Sequence, residues 1–315
     1  MKEFELIGHI RKEFAGNNKR RDLLVPIGDD CSILRPPKGL LQVTTVDSLV
    51  EGNHFSLKYF SPAEIGRKAL RVNLSDLASM GAIGPYYAWL TLAISSDVDE
   101  KTIKGILAGI KEDCGRFDVV LAGGNITSSA QFQIHVTLSG WVKPGLALTR
   151  TGAKAGDIIF VTGSIGASTL AYRQFKEGKE PDKQLLKRWA NPVPKISIGQ
   201  FLSKKKIASS CIDISDGIFQ DMQHITGQSG VGAELRWKDI PIFPYLKKLH
   251  PTPHMVGFGE DYELLFTVPP KKQKLLSPIR DQIAEIGTVT KKGFTVRKND
   301  GNPMDIDEVG YRHIT

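Results

Sequence analysis

Strand-length apolar runs alternate with helix-length amphipathic segments along the whole chain, which restricts the fold to layers of helix packed on sheet. Leu41 to Val46 predicts a strand ending at Asp47, and Ala63 to Met80 a helix carrying Asp76 near its end. Tyr87 to Ile94 is continuously apolar, the pattern of a strand covered on both faces. Thr102 to Phe117 predicts a helix, and Val119 to Ala122 a strand entering Gly123-Gly124. From Gln131 to Ser139 the pattern alternates and puts Phe132, Ile134, Val136 and Leu138 on one face, which needs a partner surface. A first helix burying Leu6, Ile7, Ile10 and Phe14 precedes all of these.

The second half begins near Pro144 to Gly156. Asp157 to Thr162 predicts a strand running into Gly163-Ser164-Ile165-Gly166-Ala167-Ser168 and then a helix. That turn suits a phosphate but matches neither glycine-rich phosphate-binding motif, so close backbone packing is the preferred reading. Further strands are expected over Ala208 to Ile214 and Tyr262 to Val268, with helices over Gly217 to Gly227 and Lys272 to Ile283. A hairpin turn is expected at Asn299-Asp300-Gly301. The expected class is α/β, in α+β layers, with two domains, 1–148 and 149–315.

The chemistry is announced by acidic clusters set among glycines and apolar residues: Gly28-Asp29-Asp30, Thr44-Thr45-Val46-Asp47, Ser75-Asp76, Asp213-Ile214-Ser215-Asp216 and Gly259-Glu260-Asp261. Two carboxylates about 5 Å apart repel by roughly 3 kcal/mol at an effective dielectric of 20, so gathered carboxylates are usually neutralised by cations. Hard oxygen ligands without Cys or His point to Mg²⁺, and Mg²⁺ normally accompanies phosphates. No Walker sequence, zinc site, GxSxG elbow or HExxH is present.

Composition bounds the alternatives. The net charge of +8 comes from separate runs, among them Lys204-Lys205-Lys206, Lys247-Lys248, Lys271-Lys272 and Lys291-Lys292, without interleaved aromatics. A solvated surface is favoured, and no nucleic-acid partner is expected. No apolar run approaches the ~20 residues of a membrane span, and the N-terminal segment lacks a secretory apolar core. Cys31, Cys114 and Cys211 form no CxxC, which suits a reducing cytoplasm.

Several motifs resemble those of the thiamine-monophosphate kinase family, within the superfamily of aminoimidazole ribonucleotide synthetase. They are Ile27-Gly-Asp-Asp-Cys31, Asp47-Ser-Leu-Val-Glu-Gly-Asn-His-Phe55, Val72-Asn-Leu-Ser-Asp-Leu-Ala-Ser-Met-Gly-Ala82, Ser139-Gly-Trp-Val142, Leu148-Thr-Arg-Thr-Gly-Ala153, Ile212-Asp-Ile-Ser-Asp-Gly217 and Gly259-Glu-Asp-Tyr-Glu-Leu-Leu-Phe266. The resemblance implies an N-terminal ATP/Mg-binding and dimerisation domain, 1–148, whose sheet pairs with its copy into a barrel. It implies a C-terminal α/β domain, 149–315, that completes the substrate site. The implied reaction moves the ATP γ-phosphoryl group to thiamine monophosphate, giving thiamine diphosphate and ADP. A phosphate monoester has a second pKa near 6, so the acceptor is already ionised at pH 7 and needs no general base.

Carried over motif by motif, Asp30, Thr45, Asp47, Asp76, Asn125, Asp213 and Asp216 would hold several Mg²⁺ ions or their waters, with Asp47, Asp213 and Asp216 as the catalytic carboxylates. Phe117, Gly124, Asn125, Arg150 and Ser215 would contact ATP, Arg150 as a phosphate partner. His54, Glu260 and Tyr311 would contact thiamine monophosphate, Tyr311 by stacking on its cationic ring. For isolated Ser-Asp pairs capping is the competing account, for Arg150 a surface ion pair, and for Tyr311 simple packing of the tail. The chain departs from the family in two places: Asn125 stands where an acidic residue is frequent, and Phe117 where a tyrosine is frequent. The alternatives are another ATP-using enzyme of the superfamily, selenophosphate synthetase-like or hydrogenase-maturation-like, or a basic nucleic-acid-binding protein.

Overall fold

The computed structural model describes residues 3–14, 20–306 and 310–311. It divides into two compact units, Met1–Leu77 with Ala82–Gly145, and Ala78–Gly81 with Leu146–Thr315.

The first unit holds a four-stranded sheet made of β3 (Leu41–Val50), β6 (Gln133–Val142), β4 (Ile83–Ile94) and β5 (Val119–Ser128), in that spatial order. β6 runs antiparallel to both of its neighbours, and β5 is parallel to β4. Paired residues share a face, so register tells where each side chain points. Val136 and Leu138, with Leu90 of β4, form a buried face. The helices α2 (Pro62–Ser79) and α3 (Glu100–Phe117) also bury apolar residues, including Ile65, Leu70, Ile106 and Ile110. They meet so closely that a Cβ on Gly66 would lie 2.0 Å from the Ile106 carbonyl oxygen. A buried ion pair, Arg71 Nη2 to Asp113 Oδ1 at 3.0 Å, joins the same two helices. The first helix, α1 (Glu3–Phe14), buries Leu6 and Phe14, while Ile7 and Ile10 stay half-exposed. A short ribbon of β1 (Leu23–Val25) and β2 (Ile33–Leu34) brings Leu23 and Leu34 into the cluster of Tyr87, Val120 and Trp141.

The second unit is built on a six-stranded sheet. Its strands are β7 (Ile158–Thr162), β8 (Ser210–Asp213), β9 (Gly232–Arg236), β10 (Leu264–Val268), β11 (Ile283–Thr290) and β12 (Phe294–Arg297), ordered β12-β9-β11-β7-β10-β8. All pairs are antiparallel except β12 with β9. Phe160 and Phe266, on neighbouring strands, stack at 5.6 Å within its core. Helices α4 (Ala167–Lys176), α5 (Lys183–Ala190), α6 (Ile196–Lys204) and α7 (Ile218–Ser229) accompany the sheet, with two single turns, α8 (Pro244–Lys247) and α9 (Pro253–Val256).

Several boundaries differ from the sequence reading. β3 continues three residues past Asp47 to Val50, and β5 runs through Gly123-Gly124 to Ser128. The helix expected over Lys272 to Ile283 is a 3₁₀ stretch, Pro270–Gln282, broken at Ile279 because Pro278 lacks the N–H a regular helix needs. The Asn299-Asp300-Gly301 turn closes with Asn302 N–H donating to Asp300, and its arms pair as a short hairpin through an antiparallel bridge of Arg297 with Pro303 and the Met304 N–H donating to the Val296 carbonyl at 2.7 Å. Two lysine runs read as separate meet, the Lys272 ammonium donating to the Lys206 carbonyl. Val136, on the face expected to need a partner, is 3% exposed in the single chain, whereas Val46 on the edge strand β3 is 64% exposed.

Candidate functional site

In the first unit, Thr45 and Asp47 lie two residues apart on β3 and therefore share a face. The Thr45 hydroxyl donates to the Asp76 carboxylate, so this pair faces α2. Asp47 is half-buried beside Val136. Asp30 sits on an exposed loop after β1, where its N–H donates to Asp29 at 2.9 Å, a turn contact that accounts for the Asp29 side chain. Asn125 is paired with Thr91, Thr91 with His135, and His135 with Ser48, whose hydroxyl lies 2.6 Å from the ring Nδ1. That row is the opposite face from Thr45 and Asp47. Two strands also intervene, a separation of about 14 Å at ~4.8 Å per strand, so within one chain Asn125 does not join the Thr45–Asp47–Asp76 group.

Gly124 is exposed, and a Cβ there would lie 2.0 Å from the Leu90 carbonyl oxygen, so close strand approach demands glycine whatever else binds there. Phe117 ends α3, half-buried, before the left-handed Asp118 that caps the helix. His54 lies in the turn after β3. Its Nδ1 accepts the Val50 N–H at 3.1 Å, so a neutral ring carries its proton on Nε2. The Lys68 ammonium, fully buried, donates to the His54 carbonyl at 2.7 Å.

In the second unit, β8 ends at Asp213, 3% exposed, and the chain turns through Ser215 and Asp216 into α7. Asp221 on α7 accepts the N–H groups of Asp216 at 3.1 Å and Gly217 at 3.0 Å. Burial, and then repulsion from Asp216, pushes the Asp221 carboxyl well above the usual carboxylate range, with Arg150 offsetting part of this. Arg150 is exposed, and its carbonyl accepts the Ser229 hydroxyl at 3.2 Å. Among the described residues, Asp216, Asp221 and His224 bring one ligand atom each within 4.8 Å of one another. Two carboxyls so close that one disfavours ionisation of the other, beside an imidazole, fit a divalent cation.

Backbone contacts tie this loop to the remaining candidates. Glu260 and Tyr262 hold left-handed φ of 57° and 51°, and their N–H groups donate to Ser215 and Ile214, each at 2.9 Å. Tyr311 N–H donates to the Asp216 carbonyl at 2.9 Å. The Glu260 carboxylate accepts the indole N–H of Trp189. Asp213, Ser215, Asp216, Glu260 and Tyr311 thus belong to one stitched loop cluster. The Gly163 to Ser168 turn is a packing element, as preferred from sequence: Gly166 N–H donates to both oxygens of buried Asp261, at 3.1 and 3.0 Å.

Sequence reasoning missed Asp221, His224, Tyr172 and Trp189. The first two carried a signal, helical i, i+3 spacing just after Asp216. The aromatic pair lies on two separate helices, and nothing in their spacing marks them.

Residues 28–142 match the AIR synthase related protein, N-terminal domain, and residues 154–299 the AIR synthase related protein, C-terminal domain. Fold and matches together define the class, a two-domain AIR synthase related protein. The thiamine-monophosphate kinase of Escherichia coli (strain K12) is 37% identical over 99% of this chain and 98% of its own. The solved thiamine-monophosphate kinase of Stenotrophomonas maltophilia superposes with a TM-score of 0.82 at 31% identity, covering 96% of this chain and 98% of that one. Another, AaThiL complexed with AMPPCP and TMP, gives 0.76 at 29% identity over 99% and 97%. The chain belongs to the thiamine-monophosphate kinase family.

Proposed function

We propose that this chain phosphorylates thiamine monophosphate to thiamine diphosphate with ATP as donor. The observation that carries it is similarity along the full length of both partners to kinases of that name, one of them solved with a nucleotide analogue and TMP. The same similarity favours this acceptor over those of other superfamily enzymes.

The acceptor phosphate needs no base, so the residues act by binding, aligning and offsetting charge. Arg150, Ser215, Gly124, Asn125 and Phe117 would bind ATP. His54 would donate from Nε2 to the acceptor phosphate, while Glu260 and Tyr311 would hold the heterocycle. In the first unit Asp30, Thr45, Asp47 and Asp76 are oxygen donors suited to Mg²⁺; in the second, Asp213 and Asp216 are, with Asp221 and His224 beside Asp216. Bound Mg²⁺ would offset repulsion between the anionic reactants and align them for in-line transfer. Asp47, Asp213 and Asp216 are the carboxylates on which turnover depends.

The active form would be a homodimer. β3 is an edge strand whose other neighbour is absent among the described residues, and its exposed Leu41 and Val46 suit pairing with a second copy. Two copies would also supply Asn125 and the Thr45–Asp47 face to one site. Among the described residues no helix is long and apolar enough to cross a membrane, and the three cysteines are free, in keeping with a cytoplasmic setting. ADP formation measured with and without thiamine monophosphate tests the reading; ADP release indifferent to the acceptor would sink it.

A further inference from the structure

Around Glu260 the second unit gathers aromatic rings that the nucleotide and metal sites do not use. Tyr172 of α4 meets Trp189 of α5 edge to face at 5.9 Å and Tyr311 at 6.1 Å, and Phe258 meets Tyr311 at 6.4 Å. Trp189 is fully buried, yet its N–H is spent on the Glu260 carboxylate. Tyr172, Phe258, Glu260 and Tyr311 stay half-buried, so ring faces and a carboxylate meet water together. Glu260 is fixed twice, by its side chain on Trp189 and by its left-handed backbone on Ser215. A packing cluster has no use for a carboxylate pinned at its rim; a receptor for an organic cation does. The rings already attract cations from this chain. Lys176 Nζ lies 5.5 Å from the Tyr172 centroid, and the Arg173 guanidinium 5.3 Å from that of Phe258. A quaternary heterocycle, which has no N–H to keep hydrated, competes well for such faces against an ammonium.

We infer that Tyr172 and Trp189 determine acceptor specificity, Tyr172 as an aromatic wall for a delocalised cationic ring and Trp189 as a positioning residue that holds the Glu260 carboxylate against it. This rests on the acceptor being thiamine monophosphate, whose thiazolium carries the cation. The test compares thiamine monophosphate with its isosteric, uncharged thiophene (deaza) analogue by calorimetry, in wild type, Tyr172→Phe, Tyr172→Leu and Trp189→Phe. Wild type should prefer the cation by about tenfold or more, Tyr172→Phe should keep that ratio, and Tyr172→Leu should bring it close to one. Trp189→Phe should raise the KM for thiamine monophosphate about tenfold, with the KM for ATP and kcat unchanged, since it loosens only the carboxylate. Thiamine monophosphate should also quench indole emission in wild type and fail to do so in Trp189→Phe, a reading that needs no stable Tyr172 variant. An unaltered ratio in folded Tyr172→Leu, or equal quenching with and without Trp189, would overturn the cage while wild-type turnover of thiamine monophosphate stands. A wild type that ignores thiamine monophosphate in the ADP assay would overturn the acceptor itself.

Discussion

Asp221 receives two backbone N–H groups but remains beside Asp216, so hydrogen bonding alone does not cancel the charge collected where β8 meets α7. In the first unit, Asp47→Asn is expected to lower kcat by roughly two orders of magnitude or more, as removal of a preorganised charge-stabilising group does. Its thermal midpoint in EDTA should be unchanged or slightly raised, because a repelling charge is gone. Activity near wild type at saturating Mg²⁺ would count against Asp47. A second residue-scale test uses Asp261, whose carboxyl burial pushes up to about 8. The folded state keeps the proton between pH ~4 and ~8 while the unfolded chain releases it, so stability should decline as pH rises through that window, by at most about 1.4 kcal/mol per unit. Asp261→Asn should flatten the decline in urea titrations at pH 5 to 8; an unchanged slope would place the proton elsewhere. Clustered acids among apolar residues were legible because nothing nearby in sequence neutralises them. The aromatic wall was not, since Tyr172, Trp189, Phe258 and Tyr311 meet only through tertiary packing.

Element by element, the apolar periodicity carried the strands and long helices well, because buried faces repeat at the period of the backbone. It failed where backbone chemistry overrides pattern, as at Pro278, and at strand ends, where β3 and β5 run on through residues read as site loops. It also failed to separate a face covered by the unit's own helices from a face left for a partner, since both are equally apolar. Helix contact gives the test here. Gly66→Ala inserts a methyl group where α2 touches the Ile106 carbonyl, and should cost ~3 kcal/mol by overpacking. Urea unfolding of the variant within 0.5 kcal/mol of wild type, to order of magnitude, would mean that the helices separate easily.

At the scale of the whole molecule, assembly and synthesis follow from strand order. Val46→Lys places a charge on the exposed face of edge strand β3 without touching the buried face, so it should yield folded monomers where wild type sediments as a dimer. A wild-type monomer at micromolar concentration would contradict the pairing. The six-stranded sheet has a different consequence. β11, near the end of the chain, sits between β9 and β7, so β9 has no partner, and β7 only β10, until it is made. At roughly 5–20 residues per second, the ribosome needs on the order of ten seconds to pass from β7 to β11. During that interval the nascent second unit exposes unpaired strand edges, which makes its newborn chain, rather than the finished protein, the client that chaperones would meet.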